Sequence, residues 1–415
     1  ADYDMNMPMI VPYHYQGWDP DPYLEGMATK NLMDRYFYKH GRYIKGADRS
    51  LDLLTMALAL DILEDYDQLW RDLEENYPFF PILEEKGIDV AAVRDSYRLY
   101  VQKTATLEQF MGVLDRMFGK LQSFAHLFLF HRYSYDMMLD GVAEVEGLEP
   151  WRAVLLDPVT AATYAALPES GSSDVGDIPE VECRYFPELA AAYFRFPTMN
   201  PYAQERDETI IADYLSQLPD VAHIILDITG NPGGSSLYWE NVITAPFGGS
   251  WTGSFRVFYQ DSPINRQYYG EKNLLPVEQT QLPPFAQQLG AKLYEEVLWN
   301  ADYGDSRLEK GTEAKRWVLT DGGYSAAESF AAFCKLTGWA TLVGKPTNGD
   351  GLGGNPLLLP LKNTGLLVYF TTAMAENPDG TLNAQQGILP DHVLLPKDDR
   401  TPLELCKDLI REAEE

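Results

Sequence analysis

Cysteine is scarce in this sequence: 415 residues carry three, Cys183, Cys334 and Cys406. They form no CxxC pair and an odd count, which excludes a zinc ribbon and a disulfide framework. One bridge, and either redox compartment, stay open. Basic residues are also few. The chain has 33 Lys and Arg against 62 Asp and Glu, a net charge of -29. Such a surface repels phosphate backbones and anionic membranes, so nucleic acid is not an expected partner. No run of 18 apolar residues occurs, so no helix is expected to cross a membrane. HExxH, EF-hand, P-loop and Rossmann patterns are all missing. Neither a metal nor a nucleotide cofactor is therefore expected.

What is present is an ordinary globular composition, 45% hydrophobic. At roughly 150 residues per domain, two or three domains fit this length. Residues 1–20 are rich in Pro, Tyr and Asp and read as an extended lead-in. From Asp21 to Tyr135 the pattern is helical. Leu51, Leu54, Leu58 and Ile62 fall at helical spacing, as do Leu107, Phe110, Met111, Leu114, Met117, Phe118 and Leu121. Tyr77-Pro78-Phe79-Phe80-Pro81 must break the helix between them. Over 140–185 the periodicity fades, and Ser170-Gly171-Ser172-Ser173 marks a loop.

From Glu182 onward strands and helices alternate. Ala192–Phe196, Val221–Ile228, Ser254–Tyr259, Arg316–Leu319, Ala340–Val343, Leu357–Leu361 and Leu366–Phe370 read as strands. Asp207–Leu218, Leu237–Ala245, Phe285–Trp299, Ser325–Leu336 and Leu403–Ala413 read as helices. This alternation argues α/β layering. The expected division is a helical domain over 1–140, a linker region over 141–185 and an α/β domain over 186–415.

Two strand–turn–helix junctions could carry chemistry. One is the turn Thr229-Gly230-Asn231-Pro232-Gly233-Gly234, whose glycines let backbone approach a ligand. The other is Thr320-Asp321-Gly322-Gly323-Tyr324-Ser325-Ala326-Ala327-Glu328. A serine at a helix N-terminus sits in positive potential, which suits a nucleophile whose attack creates an oxyanion. The same Ser325 with Glu328 three residues on is also a capping box. The residues alone leave both readings open.

Asp227-Ile228-Thr229-Gly230-Asn231-Pro232-Gly233-Gly234 resembles the D-L-R-x-N-x-G-G signature of the S41 peptidase family, which includes C-terminal (tail-specific) processing and tricorn-type proteases. Gly322, Ser325, Ala326, Glu328, Gly344, Thr347 and Gly349 match its nucleophile region, and Gly387-Ile388-Leu389-Pro390-Asp391 matches its G-I-x-P-D close. Leu73-Glu74-Glu75-Asn76-Tyr77-Pro78-Phe79 is similar to the helical lead domain of such proteins. The resemblance spans about 65–130 and 190–395. It implies a ClpP/crotonase-like ββα core with an N-terminal helical domain, and a serine-type hydrolase acting on peptides or proteins. Ser325 would be the nucleophile, and N–H groups of Gly233 or Gly234 and of Ala326 the oxyanion donors. No cofactor is implied.

The general base separates the subtypes. Processing proteases use a lysine, and Asp350 stands at the matching position; Lys345 comes five residues early. Tricorn-type members use a histidine after a short helix, often in a G-H pair, which Ala125-His126 matches. Histidine titrates in the range needed to take a serine proton. His126 is the expected base and His131 its nearest rival. His223 reads as a core residue, and His392 sits in a terminal strand. The third member stays open among Gln385, Gln386 and Asp350, with Glu376 a further candidate. Asp350 and Glu376 also read as solvated loop carboxylates.

Other readings compete. Aromatic wealth and paired carboxylates (Glu64/Asp65, Glu74/Glu75) could suit a glycosidase, yet adjacent helical residues do not face one site. Asp61 and Asp65 share a face, which reads as solvated. A crotonase-type acyl enzyme would not need Ser325. A catalytically silent peptide-binding relative is the main alternative. With Ala1 rather than Met at the start, and with family habit, the chain reads as an exported bacterial protein, extracellular or at the cell surface, whose signal or anchor was removed.

Overall fold

The computed structural model describes residues 50–414 apart from 105, 144, 169–174, 220, 271–273, 309 and 396, with side chains from 61 onward. The lead-in over 1–20, the pattern from 21 to 49, His14, His40 and the loop at Ser170–Ser173 lie outside the described residues.

Helices come first: α1 (Ser50–Asn76), α2 (Phe80–Glu85), α3 (Val90–Val101) and α4 (Leu107–Lys120). The proline-flanked aromatic stretch ends α1, as its sequence requires. Thr106 caps α4 by accepting from the Gln109 N–H at 3.2 Å. One stripe of α4 then buries Phe110, Val113, Leu114, Met117 and Phe118. Next come β1 (Phe128–Leu129), α5 (Arg132–Val142), α6 (Glu149–Leu155) and α7 (Pro158–Ala166). These helices correct the reading of 140–185 as non-periodic. They are too short for a stripe to stand out; α7 depends on its Asp157 cap, which accepts from Val159 and Thr160, and on Pro158 in its first turn.

There follow β2 (Glu182–Phe186), β3 (Ala191–Arg195), α8 (Gln204–Gln217), β4 (His223–Asp227), a helical stretch over 236–247, β5 (Ser250–Tyr259), α9 (Pro263–Tyr269), β6 (Leu275–Pro276), α10 (Pro284–Gln288) and β7 (Leu293–Asp302). Then come β8 (Lys315–Thr320), α11 (Ala326–Thr337), β9 (Thr341–Gly344), β10 (Leu357–Pro360), β11 (Leu367–Phe370), β12 (Met374–Ala375), α12 (Asn383–Gln386), β13 (His392–Val393) and α13 (Pro402–Glu414).

The central sheet has the order β13-β9-β8-β4-β3-β2, parallel except for β2. β4 is buried along its whole length. Ile224 and Leu226 pack with Phe330 and Phe333 of α11, while Ile225 packs with Leu405 and Ile410 of α13. A parallel strand covered on both faces reads as an unbroken apolar run, which is how it stands in the sequence. The architecture is therefore mixed α/β with a helical N-terminal part, as predicted.

An antiparallel sheet, β12-β5-β7-β6, overturns one expectation. Phe285–Trp299 is not one amphipathic helix. α10 stops at Gln288, Gly290 turns the chain at φ 73°, and β7 pairs with β5 along its full length. A ten-residue ladder outweighs the local helical preference of Leu, Glu and Ala.

The third sheet, β1-β11-β10, lies between helices. Leu359 and Val368 pack with α1–α4, whereas Leu358 and Tyr369 pack on the side of α5–α7. Its β10–β11 turn is held by α1. Asp61 and Asp65 are buried rather than solvated, a second correction. The Asp65 carboxylate accepts from the backbone N–H of Asn363 at 2.8 Å and of Thr364 at 2.7 Å. All three cysteines are free. Among the described residues no helix is long and apolar enough to cross a membrane.

Asp65→Ala orphans both N–H groups. At about 1–3 kcal/mol per buried donor it should cost roughly 2–5 kcal/mol in urea unfolding, with Asp65→Asn costing less. A loss below about 1 kcal/mol for Asp65→Ala would show that water replaces the carboxylate.

Candidate active site

Ser325 stands between β8 and α11 with φ 55° and ψ -123°, and its side chain makes no capping bond. The capping-box reading therefore fails here. Glu328 turns inward instead. It is fully buried, accepts from Asn383 Nδ2 at 2.6 Å, and burial raises its carboxyl well above the usual range. The Ser325 Oγ is left to face His126 Nε2 at 2.9 Å.

His126 arrives from the helical part of the chain, 199 positions away. After α4 the backbone turns with positive φ at Gln122, Ser123, Ala125 and His126. Ala125 stands where the resembling family has glycine, and its φ of 51° lies in the region glycine favours. The Ala125 carbonyl accepts from the Thr371 N–H at 2.8 Å, and the His126 N–H donates to Tyr324 Oη at 2.9 Å. The Tyr324 ring stacks on the imidazole with centroids 4.6 Å apart, and Tyr369 meets it edge-on at 5.7 Å. The ring is thus held by one stacked and one edge-on neighbour, and only 4% of the residue is exposed.

Asp350 completes a line. Its Oδ2 pairs with His126 Nδ1 and accepts from Thr371 Oγ1 at 2.8 Å. The residue is 7% exposed, so the reading as a solvated loop carboxylate is overturned. The cause is local packing. A Cβ on Gly351 would lie 2.6 Å from Ser329 N and 2.7 Å from Ser325 O, so only glycine lets this loop sit on the start of α11. With Nδ1–H held by the carboxylate, Nε2 is left to accept the serine proton.

The other candidates lie elsewhere. Gln385 and Gln386 are exposed on α12, and neither bonds His126. Glu376 pairs with Arg256, Lys345 with Asp321, and exposed His131 with Asp115. His223 is buried and accepts from Trp317 Nε1, as a core residue should. His392 is exposed in β13. The sequence did not single out Thr371 or Tyr324. Tyr324 borders Ser325 and could have been considered; nothing local marks Thr371.

Gly233, Gly234 and Ala326 do meet beside Ser325. A Cβ on Gly233 would stand 2.6 Å from Tyr324 O and 2.9 Å from Ala326 N. The Gly233 N–H donates to Asn231 Oδ1 at 2.8 Å, and Asn231 is itself fully buried with Nδ2 on Phe196 O. The N–H groups of Gly234 and Ala326 have no acceptor among the described residues. Both line a cleft of about 450 Å³ that also holds Ser325, His126 and Asp350. Among the described residues no group of three or more His, Cys, Asp or Glu is placed to hold a metal.

A family model of Peptidase family S41 matches residues 190–394, and one of the Tricorn protease C1 domain matches residues 59–119. The chain belongs to peptidase family S41. That membership supports peptidase function, with peptides or proteins as the substrate class. No curated protein matches the chain in sequence. Among solved structures it is similar to a candidate peptidase from Parabacteroides merdae, at 18% identity and TM-score 0.47, over 83% of this chain and 95% of that one. A lipoprotein from Streptococcus agalactiae matches at 13% identity and TM-score 0.43, over 78% and 88%. Mature CPAF complexed with lactacystin matches at 14% and 0.45, over 86% and 97%.

Gly233 and Gly230 give a matched test of the close approach to Ser325. Both have positive φ, but a Cβ on Gly230 meets nothing within 4 Å. Gly230→Ala should cost about 1–2 kcal/mol from the backbone alone. Gly233→Ala adds a clash with backbone, about 1–3 kcal/mol more. Equal losses in urea unfolding would mean the two loops are not in contact.

Proposed function

We propose that this chain is a serine peptidase that cleaves peptide bonds through an acyl-enzyme on Ser325. The observation carrying the reading is the line Ser325–His126–Asp350, with Oγ 2.9 Å from Nε2 and the carboxylate on Nδ1. His126 takes the Oγ proton as Oγ bonds to the carbonyl carbon. The tetrahedral oxyanion is held by the N–H groups of Gly234 and Ala326, each worth about a hundredfold or more in rate. Gly233 contributes by keeping backbone close to Ser325, since its own N–H is already engaged by Asn231. As the C–N bond breaks, His126 returns the proton to the leaving amine. Water then repeats the sequence on the ester. Asp350 holds the tautomer and stabilises the imidazolium by charge, which Gln385 or Gln386 could not do.

In this reading the protein works outside the cell or at its surface. A catalytically silent peptide binder is the alternative. Its motives are the absent processing-type lysine and the open third member; the position of Asp350 against His126 supports the peptidase reading on the second of these.

The test is labelling by a fluorophosphonate, read by intact mass and peptide mapping. Wild type should label at Ser325, and Ser325→Ala should not. His126→Ala and Asp350→Asn should slow labelling by about 10³-fold or more, while Gln385→Ala leaves it unchanged. A folded wild type that does not label would favour the silent peptide binder.

A further inference from the structure

The cleft beside Ser325 is walled by rings, among them Trp151, Trp239, Trp299, Tyr259 and Tyr269. Its carboxylates are Glu240, Glu295 and Asp350, and no Lys or Arg lines it. Two of the three acids are committed: Asp350 to His126 and Thr371, Glu295 to the Tyr259 hydroxyl at 2.5 Å. The Glu240 carboxylate has no hydrogen-bond or ion-pair partner among the described residues. Half-buried, it is held above the usual carboxylate range by desolvation. An acid left in that condition destabilises the empty site, and a docking cation relieves it.

The chain explains its position. Two residues after Gly234 the backbone becomes helical, and Ser236 and Glu240 stand about one turn apart, both on the cleft. Trp239 is anchored between them and the core, donating from Nε1 to Ser329 Oγ at 2.9 Å. Ring faces attract a cation electrostatically and also cover a methylene stem.

We propose that Glu240 makes this site selective for peptides carrying a basic side chain, with the cationic end on the Glu240 carboxylate and the stem along the aromatic wall. The inference rests on the peptidase reading of Ser325, and its test is chosen to stand apart from turnover. Ser325→Ala protein is titrated with acetyl-Ala-Ala-Xaa-Ala-Ala-amide, where Xaa is lysine, norleucine or glutamate. The cleft tryptophans report binding by fluorescence. Lysine and norleucine share the stem and differ in the ammonium. Lysine should bind about 10- to 100-fold tighter than norleucine, and glutamate weakest. Adding Glu240→Gln should bring lysine to the norleucine level and leave norleucine unchanged; Glu240→Asp should keep part of the preference. Equal or tighter binding of norleucine, no binding of any of the three, or a lysine preference that survives Glu240→Gln overturns the proposal. Fluorophosphonate labelling of Glu240→Gln with Ser325 intact is the separate control. Failure to label wild type sinks the serine mechanism, while the titration still decides the charge selectivity.

Discussion

The pairing of β1 with β11 is the constraint on which the site depends. His126 and Ser325 are 199 residues apart, and β1 contributes only two ladder positions, Phe128↔Tyr369 and Leu129↔Val368. Flanking bonds extend the seam: Phe130 N–H donates to Leu367 O at 2.9 Å, and Thr371 N–H to Ala125 O at 2.8 Å. The strand that receives the histidine segment therefore also presents Tyr369 to the imidazole, and Thr371, the residue just after it, reaches Asp350. A slip of one residue would turn each of these side chains to the opposite face. His126 and Asp350 are aligned by one strand and the residue that follows it, which is why so short a pairing suffices.

The same residues carry backbone strain. Ser325, His126 and Asp350 have φ of 55°, 57° and 64°, and none is glycine. L-residues in that half of conformational space cost about 1–2 kcal/mol each. Such strain persists only where the surroundings fix it on several sides. Here the fixing contacts are identifiable. Gly351 seats the Asp350 loop on α11, Gly233 packs on Ser325, and Tyr324 holds His126 through its hydroxyl and its ring. The side chains are thereby aimed before any ligand arrives, which is the condition for electrostatic preorganisation.

How much of this was legible in the sequence follows from how local each feature is. The apolar β4, the glycine turn after it and the Ser325 junction lie within single strand–turn–helix units, and their patterns read directly. His126 could be reached only by resemblance, because nothing near it in sequence reports a partner 199 residues on. The burial of Asp350 was not legible. It depends on Gly351 meeting α11 and on Thr371 arriving just after β11, contacts between segments that no window of sequence contains. β7 failed for the opposite reason. Its local pattern suited a helix, and the ladder with β5 decided otherwise. Asp65 likewise looks like a surface acid until the β10–β11 turn is laid over it.

Charge acts on two scales in this molecule. The net charge of -29 attracts every cation alike, and for exposed groups that attraction is screened within about 8 Å at physiological salt. It cannot by itself select a substrate. Selection needs a charge taken partly out of water, where screening is weak and an unmatched partner is costly. The cleft holds two such carboxylates with different commitments. Asp350 has its lone pairs on His126 and Thr371 and is bound to the serine line. Glu240 meets no donor among the described residues and faces open cleft. Both are desolvated acids, but one has been given its counterpart by the fold and the other must obtain it from a ligand. In the proposed reading, that difference lets one small cleft hold a fixed Ser325–His126–Asp350 line and a free recognition charge without the two competing for the same cation.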